Sequence, residues 1–256
     1  MNPHSFLEWQ ASDGVGYLTL DRPPLNILNL AMLREICSAL EAAASDLSLR
    51  ALVIRAEGAL RVFSAGVDVA DHTADKVGEM IPLFDRVCVA LADFPVPTLA
   101  VVHGHALGGG CELALCCDLV VAAEGANFGQ PEIKLATIAP IAALRLPGLV
   151  GYRRAAEMLF TGETIGAAEA ARIGLINRAV PAGELAQAVE QIVGKLRGLS
   201  AAALRVCKRA ARLGADGWGN LPAMEKLYLD DLMSIEDACE GVAAFIEKRA
   251  PVWKNE

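Results

Sequence analysis

Three consecutive glycines join a strand-like run to a helical pattern in Leu99-Ala-Val-Val-His-Gly-His-Ala-Leu-Gly-Gly-Gly-Cys-Glu-Leu-Ala114. Glycine lets the chain turn sharply and lets a ligand approach main-chain N–H groups, while a helix start adds unpaired donors and the positive end of its dipole. Such a turn suits an oxygen that becomes anionic during a reaction, for example the carbonyl oxygen of a thioester. Taken alone, a tight strand-to-helix turn without a ligand explains the pattern equally well.

A second glycine turn lies earlier in the chain, in Val62-Phe-Ser-Ala-Gly-Val-Asp-Val69. It follows a β-rich run at residues 51–56 and places Gly66 immediately before Val67. Together the two turns can offer two main-chain N–H donors to one oxygen. The pair therefore favours a ligand site over two unrelated turns.

Periodicity in the first half of the chain alternates between strands and helices. β-rich runs predict strands at residues 15–20, 51–55, 97–103 and 119–122, with helices between them. The first helix has Asn29 as its predicted N-cap, and another helix is expected over residues 75–94. An apolar stripe typical of a helix packed on a sheet runs along the first one, through Leu30, Leu33, Ile36, Cys37 and Leu40.

Strand signals nearly vanish after Gly162. The remaining sequence predicts helices at residues 166–173, 184–199, 201–213 and 221–248, with one strand at 174–180. Alternating elements favour a sheet layered with helices, so we expect an α/β core followed by a helical C-terminal portion. Basic side chains on those last helices, such as Lys208 and Arg209, are interpreted as solvated faces.

Composition limits the classes of function. With 256 residues, 54% of them hydrophobic, the chain can bury one sizeable core, and its net charge of -8 disfavours nucleic acid and anionic membranes as partners. The seven cysteines lack CxxC spacing and are expected to be reduced core thiols. The first ten residues show neither a secretory nor a transit pattern. We expect a cytoplasmic enzyme that binds neither nucleic acid nor membranes.

Several common catalytic motifs do not occur in the sequence. It has no Walker loop, no GxGxxG and no GxSxG, which disfavours nucleotide-dependent redox chemistry and serine hydrolysis. His103 and His105 point to the same side of a predicted strand, but no third ligand has suitable spacing for a metal. We interpret both histidines as packing residues and expect no metal site.

Three segments, taken together, resemble the crotonase superfamily of enoyl-CoA hydratases and isomerases. They are Phe63-Ser-Ala-Gly-Val-Asp68, Ala106-Leu-Gly-Gly-Gly-Cys-Glu112 and Phe128-Gly-Gln-Pro-Glu-Ile133, in matching order and spacing. The resemblance runs from Leu20-Asp-Arg-Pro-Pro-Leu-Asn26 to the segment at residues 240–249 and so covers nearly the whole chain.

The resemblance implies an architecture and a class of substrate. The expected fold is a crotonase-like spiral of ββα turns over residues 1–195, followed by a helical C-terminal region at residues 196–256 that mediates trimerisation. The expected assembly is a homotrimer or a homohexamer. The substrate is an acyl-CoA thioester, and no cofactor is expected beyond the CoA that the substrate carries.

The resemblance also implies roles for individual residues. The N–H groups of Val67 and Gly109 match the oxyanion hole, Glu112 matches the residue that activates water, and Glu132 matches the residue that supplies a proton to C2. Further substrate contacts are expected in the same segments, in the following proline-containing stretch and, for CoA phosphates, near the C-terminus: Ser64, Ala65, Gly66, Asp68, Val69, Leu107, Gly108, Pro131, Pro140 and Lys248.

Each glutamate also has a purely structural explanation. Glu112 can be a first-turn helix residue stabilised by the dipole, and Glu132 a solvated loop residue beside Pro131. Both acids in matched positions favour a hydratase, a hydro-lyase that reversibly adds water to a 2,3-unsaturated thioester, over an isomerase that uses one glutamate. A crotonase-like binding module, including the RNA-binding kind, is another alternative; the acidic charge and both glutamates count against it.

The sequence departs from the family pattern beside the second glutamate. Family hydratases of short linear substrates carry a Gly-rich turn and Thr-Gln-Arg-Leu there, whereas Thr137-Ile-Ala-Pro-Ile-Ala-Ala-Leu-Arg-Leu-Pro147 predicts a more apolar, less flexible pocket wall. Ala70 also replaces a Lys or Arg that is frequent in the family. The run at residues 64–73, with Pro140-Ile-Ala-Ala143, is similar to the cyclohexa-1,5-diene-1-carbonyl-CoA hydratases of anaerobic aromatic degradation.

Overall fold

A computed structural model describes residues 5–215 and 218–255, which form strands and helices in alternation. The strands are β1 (Leu7–Ser12), β2 (Val15–Leu20), β3 (Ala51–Ala56), β4 (Val62–Ser64), β5 (Thr98–Val102), β6 (His105–Leu107), β7 (Leu119–Ala123), β8 (Asn127–Gly129), β9 (Thr164–Gly166) and β10 (Arg178–Val180). The helices are α1 (Leu30–Ala44), α2 (Val77–Ala92), α3 (Gly109–Cys116), α4 (Pro140–Val150), α5 (Tyr152–Thr161), α6 (Ala167–Arg172), α7 (Leu185–Arg197), α8 (Ala201–Ala215), α9 (Leu221–Lys226) and α10 (Glu236–Glu247).

From β3 to β8, consecutive strands alternate between two sheets. The larger sheet has the order β1-β2-β3-β5-β7-β10 and the smaller one the order β4-β6-β8-β9. Neighbouring strands are parallel except at β1 and β9, which pair antiparallel with β2 and β8. A helix follows each pair in β3-β4-α2 and β5-β6-α3. The chain therefore winds as a spiral of ββα turns, which confirms the expected α/β fold.

Apolar faces fix the helices on the sheets. The Asn29 side chain accepts a hydrogen bond from the Met32 N–H at 3.0 Å and caps α1, while Leu33, Ile36 and Leu40 are buried below it, as predicted. Helix α3 is different because all eight of its residues are buried. Its one charged side chain therefore has to lie inside the protein.

Two predictions about the helical C-terminal portion are wrong. The expected single helix over residues 221–248 consists of α9, a π-helical turn (Leu227–Leu232) and α10. Ile235 has an extended backbone, and the Ser234 hydroxyl donates to the Asp231 carbonyl oxygen at 2.8 Å, so the helix ends and restarts there. Lys208 is buried rather than solvated, because its ammonium group pairs with Asp118 at 2.7 Å.

The expectation of buried thiols holds for five cysteines. All seven are unbridged, but Cys207 and Cys239 are exposed. Within the part of the chain that the structure describes, none of the helices is both long and apolar enough to cross a bilayer. The division of the chain at residue 195 and the trimerisation of its C-terminal region stay predictions.

Candidate active site

The two glycine turns lie side by side where β4 and β6 end. These strands are parallel neighbours with Ser64 paired to Ala106, so the turns that follow them leave the sheet at the same edge. A Cβ atom on Gly109 would lie only 3.2 Å from the Val67 nitrogen. The two predicted donor groups are therefore close together.

The N–H groups at these two positions are unpaired. Leu28 donates to the Gly66 carbonyl oxygen at 2.9 Å and accepts from the Asp68 N–H at 3.0 Å, which leaves the N–H of Val67 out of that parallel bridge. Gly109 is the first residue of α3, where an N–H has no partner within the helix. Neither N–H donates to an acceptor among residues 5–215 and 218–255, so both are available to a ligand.

Gly108 permits the close approach of a carboxyl group. Its backbone has φ of +51° and ψ of -130°, a conformation that residues with a side chain rarely adopt. A Cβ atom at this position would lie 2.5 Å from Oε1 of Glu132. Glycine at position 108 is thus required by the backbone and by the position of Glu132.

The turns open into a cavity of about 640 Å³ that both glutamates line. Helix α2 contributes Met80, Ile81 and Phe84 to its wall, and the segment that follows Glu132 contributes Leu135 and Ile138. Pockets of this size, largely apolar with a few polar groups, are typical of small-molecule sites. The apolar wall agrees with the prediction made from the stretch after Glu132.

Glu112 is the buried charged residue of α3. Its side chain is aimed at the start of α4, where Oε1 accepts a hydrogen bond from the Ala142 N–H at 2.8 Å. Burial raises the pKa of Glu112 to about 7, the Ala142 N–H opposes that rise, and the negative charge of Glu132 adds to it. Near neutral pH this carboxyl group can both accept and donate a proton.

Glu132 lies in a short 3₁₀ turn, Pro131–Leu135, and is half-buried. The Thr137 N–H and hydroxyl both donate to its carbonyl oxygen, at 3.2 and 3.1 Å, and hold the backbone. Oε2 is buried without a hydrogen-bond partner among the described residues. Burial raises the pKa of Glu132, while its own N–H and the charge of His72 act in the opposite direction.

The two carboxyl groups can divide acid and base roles between them. The charge of Glu132 raises the pKa of Glu112, so ionisation of Glu132 favours the protonated form of Glu112. One group can then accept a proton while the other donates one. The unpaired N–H groups of Val67 and Gly109 lie on the same cavity and can stabilise negative charge that develops between these steps.

The cavity brings together most of the residues that the sequence suggested. Ten of the fourteen residues that the sequence suggested line it. They are Ala65, Gly66, Val67, Val69, Gly108, Gly109, Glu112, Pro131, Glu132 and Pro140.

Four suggested residues do not line the cavity. The Ser64 hydroxyl donates to the Asn26 carbonyl oxygen at 2.7 Å and accepts from the Gly66 N–H, so it stabilises the turn through backbone contacts. Asp68 accepts from the Ala70 N–H at 3.0 Å. Leu107 ends β6, and Lys248 follows the last residue of α10. Their contacts with substrate stay predictions.

Sequence reasoning missed several residues of the cavity wall. Met80 and Phe84 carry a recognisable signal, because they belong to the helical stripe of α2, but a stripe does not tell which part of a helix meets a ligand. His72 has no periodic signal and also lines the cavity.

The two strand histidines are engaged elsewhere. His103 Nε2 bonds to the Leu60 carbonyl oxygen, and His105 Nδ1 lies 3.1 Å from Nδ2 of Asn127. Within residues 5–215 and 218–255, no group of three His, Cys, Asp or Glu side chains is arranged to hold a metal ion.

Comparison with known proteins identifies the family. A family model described as enoyl-CoA hydratase/isomerase matches residues 10–256. The cyclohexa-1,5-dienecarbonyl-CoA hydratase of Thauera aromatica is 39% identical over 96% of both chains. The crotonyl-CoA hydratase of Syntrophomonas wolfei is 36% identical over 94% of both. The crystal structure of an enoyl-CoA hydratase from Bacillus anthracis superposes with a TM-score of 0.92 at 31% identity, covering 98% of this chain and all of that one. The chain therefore belongs to the enoyl-CoA hydratase/isomerase family.

Proposed function

We propose that the protein is an enoyl-CoA hydratase, a hydro-lyase that reversibly adds water across the 2,3-double bond of an acyl-CoA thioester. The observation that carries the proposal is the placement of two carboxyl groups and two unpaired N–H groups on one cavity. The hydratases among its relatives add support.

The thioester oxygen accepts hydrogen bonds from the N–H groups of Val67 and Gly109. Attack of water at C3 moves electrons onto this oxygen and forms an enolate, so donors fixed in advance stabilise the transition state more than the substrate. Each such donor contributes about 2.7–4 kcal/mol. The positive end of α3, which begins at Gly109, adds to the same effect.

The two glutamates perform the proton transfers. Glu112 accepts a proton from the water molecule while the oxygen of that water bonds to C3. The O–H bond of Glu132 breaks, and its proton bonds to C2. The raised pKa of each carboxyl group favours retention of a proton in the cavity near neutral pH, which the donation to C2 requires. In the reverse direction the same groups exchange roles.

Two related activities compete with linear enoyl-CoA hydration. The 39% identity to the Thauera enzyme and the apolar wall at Ile138 and Pro140 favour a cyclic dienoyl thioester as the substrate. An enoyl-CoA isomerase would use the same oxyanion hole with one glutamate. Placement of both glutamates on the cavity favours hydration.

Partners and location form part of the same proposal. The chain assembles as a homotrimer or homohexamer, a proposal supported by exposed apolar residues of the C-terminal helices such as Phe245 and Ile246. Lys248, close to these residues, contacts CoA phosphates. Seven unbridged cysteines support a reducing compartment, the cytoplasm.

The proposal is tested by assaying purified protein against crotonyl-CoA and cyclohexa-1,5-diene-1-carbonyl-CoA. Glu112→Gln and Glu132→Gln should each lower turnover by about 10²–10⁴-fold, because each removes a proton-transfer group, while CoA binding persists. Glu41→Gln is the matched control: this exposed glutamate pairs with Arg86 and should keep full activity.

The outcomes separate the alternatives. Hydration removes the absorbance of a conjugated thioester, whereas isomerisation of a 3-enoyl thioester creates it. Ready turnover of crotonyl-CoA with none of the cyclic diene would exclude the cyclic substrate. Full turnover in both glutamate variants would overturn the mechanism.

A further inference from the structure

His72 is a titratable residue of the cavity wall that the proposed reaction does not use. It follows the 3₁₀ turn Val69–Asp71, is half-buried, and lines the same cavity as Glu132 and Glu112. Position 72 therefore places an imidazole ring on the same cavity as the two carboxyl groups that the reaction uses.

A local hydrogen bond fixes the ring. His72 Nδ1 lies 3.0 Å from the carbonyl oxygen of Asp68, and because a carbonyl oxygen only accepts, Nδ1 carries the hydrogen. The proton that changes the charge of the ring is then the one on Nε2. Protonation can alter the charge at the cavity without breaking the bond that anchors the ring.

The other charged groups around the ring are already engaged. On its own segment, Asp71 accepts from the Leu30 N–H and pairs with Lys76. Lys134, from the segment of Glu132, pairs with Glu163 at 3.2 Å. Asp68 has its side chain on the Ala70 N–H and lies 4.0 Å from Arg22.

The two glutamates are the charged groups of the cavity that form no ion pair among the described residues. Glu112, from α3, has one oxygen on the Ala142 N–H, and Glu132 has a buried oxygen without a partner among the described residues. Helix α2 presents Met80, Ile81 and Phe84 to the cavity, none of which carries a charge. Glu132 is thus the group on which a charge at His72 acts most directly.

We propose that His72 is a positioning residue that stabilises the ionised form of Glu132 from the cavity wall, and this inference rests on the proposed hydratase function. When the Glu132 O–H bond breaks and its proton bonds to C2, a buried carboxylate remains. An imidazolium at position 72 compensates that charge. In the reverse direction the same cation keeps Glu132 ionised and able to remove the C2 proton.

The electrostatics agree with this geometry. The charge of His72 lowers the pKa of Glu132, against the larger effect of burial.

The test uses His72→Asn, which removes the titratable ring but keeps a side-chain N–H donor in the place of Nδ1. The ionisation of Glu132 is followed in the free enzyme by infrared titration with ¹³C-labelled glutamate. A Glu112→Gln background removes the coupling between the two carboxyl groups, and loss of the signal in Glu132→Gln assigns it. The midpoint should rise by roughly 0.5–1 pH unit in His72→Asn, because a nearby opposite charge is lost.

The control is His103→Gln, another half-buried histidine whose ring bonds to a backbone carbonyl oxygen, in this case that of Leu60. It should leave the Glu132 midpoint unchanged. His72→Gln provides a second variant without the ring if His72→Asn folds poorly. In single variants, the alkaline limb of the kcat profile for hydration, where Glu132 loses the proton that it must donate, should move to higher pH, with KM changed less than kcat.

The outcomes distinguish this inference from the proposed function. An unchanged Glu132 midpoint in both His72 variants would overturn the inference, whether or not the enzyme hydrates a thioester. Lack of turnover by the wild-type protein would overturn the hydratase proposal, and the titration would still decide whether His72 acts on Glu132.

Discussion

Two regions of the molecule bury charged side chains, and they differ in how many partners those side chains have. One is the cluster of Lys208, Asp118 and Thr98, which joins α8 to the sheet. The other is the pair Glu112 and Glu132 on the cavity. In the first region every charge has close partners, whereas in the second a carboxyl oxygen has none among the described residues.

Within the Lys208 cluster the hydrogen bonds are shared closely. Asp118 Oδ2 accepts from the Thr98 N–H and hydroxyl at 2.8 and 3.0 Å and lies 2.7 Å from the Lys208 nitrogen. Lys208 also donates to the Val96 carbonyl oxygen at 3.2 Å. Burial lowers the pKa of Lys208, and the charge of Asp118 and its hydrogen bond to the ammonium group oppose that shift.

The glutamate pair has the opposite balance. Its pKa values are raised chiefly by burial, and hydrogen bonds only partly oppose the rise. A buried polar group without enough partners costs stability, and such groups are concentrated where a protein binds a ligand or transfers a proton. The number of hydrogen-bond and ion-pair partners of a charged side chain, more than its burial, therefore distinguishes the candidate site from the structural cluster.

The largest expected effect comes from displacing Glu132 without changing it. Gly108→Ala would place a Cβ atom 2.5 Å from Glu132 Oε1, at a positive φ. We expect turnover to fall about 10³-fold, within the range for loss of an acid–base group, and unfolding free energy to fall by about 1–3 kcal/mol. Kinetics and chemical denaturation measure both.

The matched control for that variant is Gly148→Ala. A Cβ atom there meets nothing within 4 Å, and the residue lies in α4. It should keep turnover and change stability by less than about 1 kcal/mol. If Gly108→Ala behaved like Gly148→Ala, the glycine would not be what positions Glu132.

Asp118→Asn should break the partnered region and leave the site intact. It leaves the Lys208 ammonium buried without a counter-charge, and the expected loss is about 3 kcal/mol of unfolding free energy, at the low end for buried pairs because the Asp118 side chain is 31% exposed. Turnover per folded molecule should stay at the wild-type value. Urea unfolding and an activity assay on the same samples check both parts.

Asp93→Asn supplies the comparison for this variant. Asp93 pairs with Arg212, which lies on α8 together with Lys208. The Asp93 side chain, however, is 56% exposed. Its loss should cost at most about 1 kcal/mol. Equal destabilisation by the two variants would contradict the view that burial makes the Lys208 cluster structural.

The smallest effect concerns the pH dependence of stability. The pKa of Glu112 is raised to about 7 in the folded protein, so its contribution to stability is complete below the ordinary glutamate pKa and is lost as the pH rises through about 7. From pH 5 to 8, wild type should lose about 2 kcal/mol more than Glu112→Gln. Parallel pH curves in denaturant unfolding would show that Glu112 is ionised normally.

Sequence patterns predicted the longer elements of the fold. Helix α1 was recognisable from its cap at Asn29 and its apolar stripe, and β2 and β3 from their β-rich runs. The three-residue strands β4, β6 and β8 are too short to show an alternating pattern. The break before α10 was missed because the helical periodicity continues through it.

Motif spacing predicted most of the site but not its environment. The two glycine turns and both glutamates were recognised in order along the chain. The contact of Glu112 with the Ala142 N–H joins residues 30 positions apart, and no local pattern encodes it. The approach of Glu132 to Gly108 and the exposure of His72 to the cavity likewise depend on segments that are distant in the sequence.

The sequence by itself determined an α/β core and the residues able to supply donors, acids and bases, because glycine turns and apolar periodicities are local properties; the ββα spiral was implied by the resemblance of its motifs to a family. Tertiary structure decided the states of those groups. It placed Val67 and Gly109 side by side, buried Glu112 until its pKa reached about 7, and gave Lys208 a partner in Asp118. The reason is physical: desolvation and charge interactions depend on distances between segments that are remote in the chain.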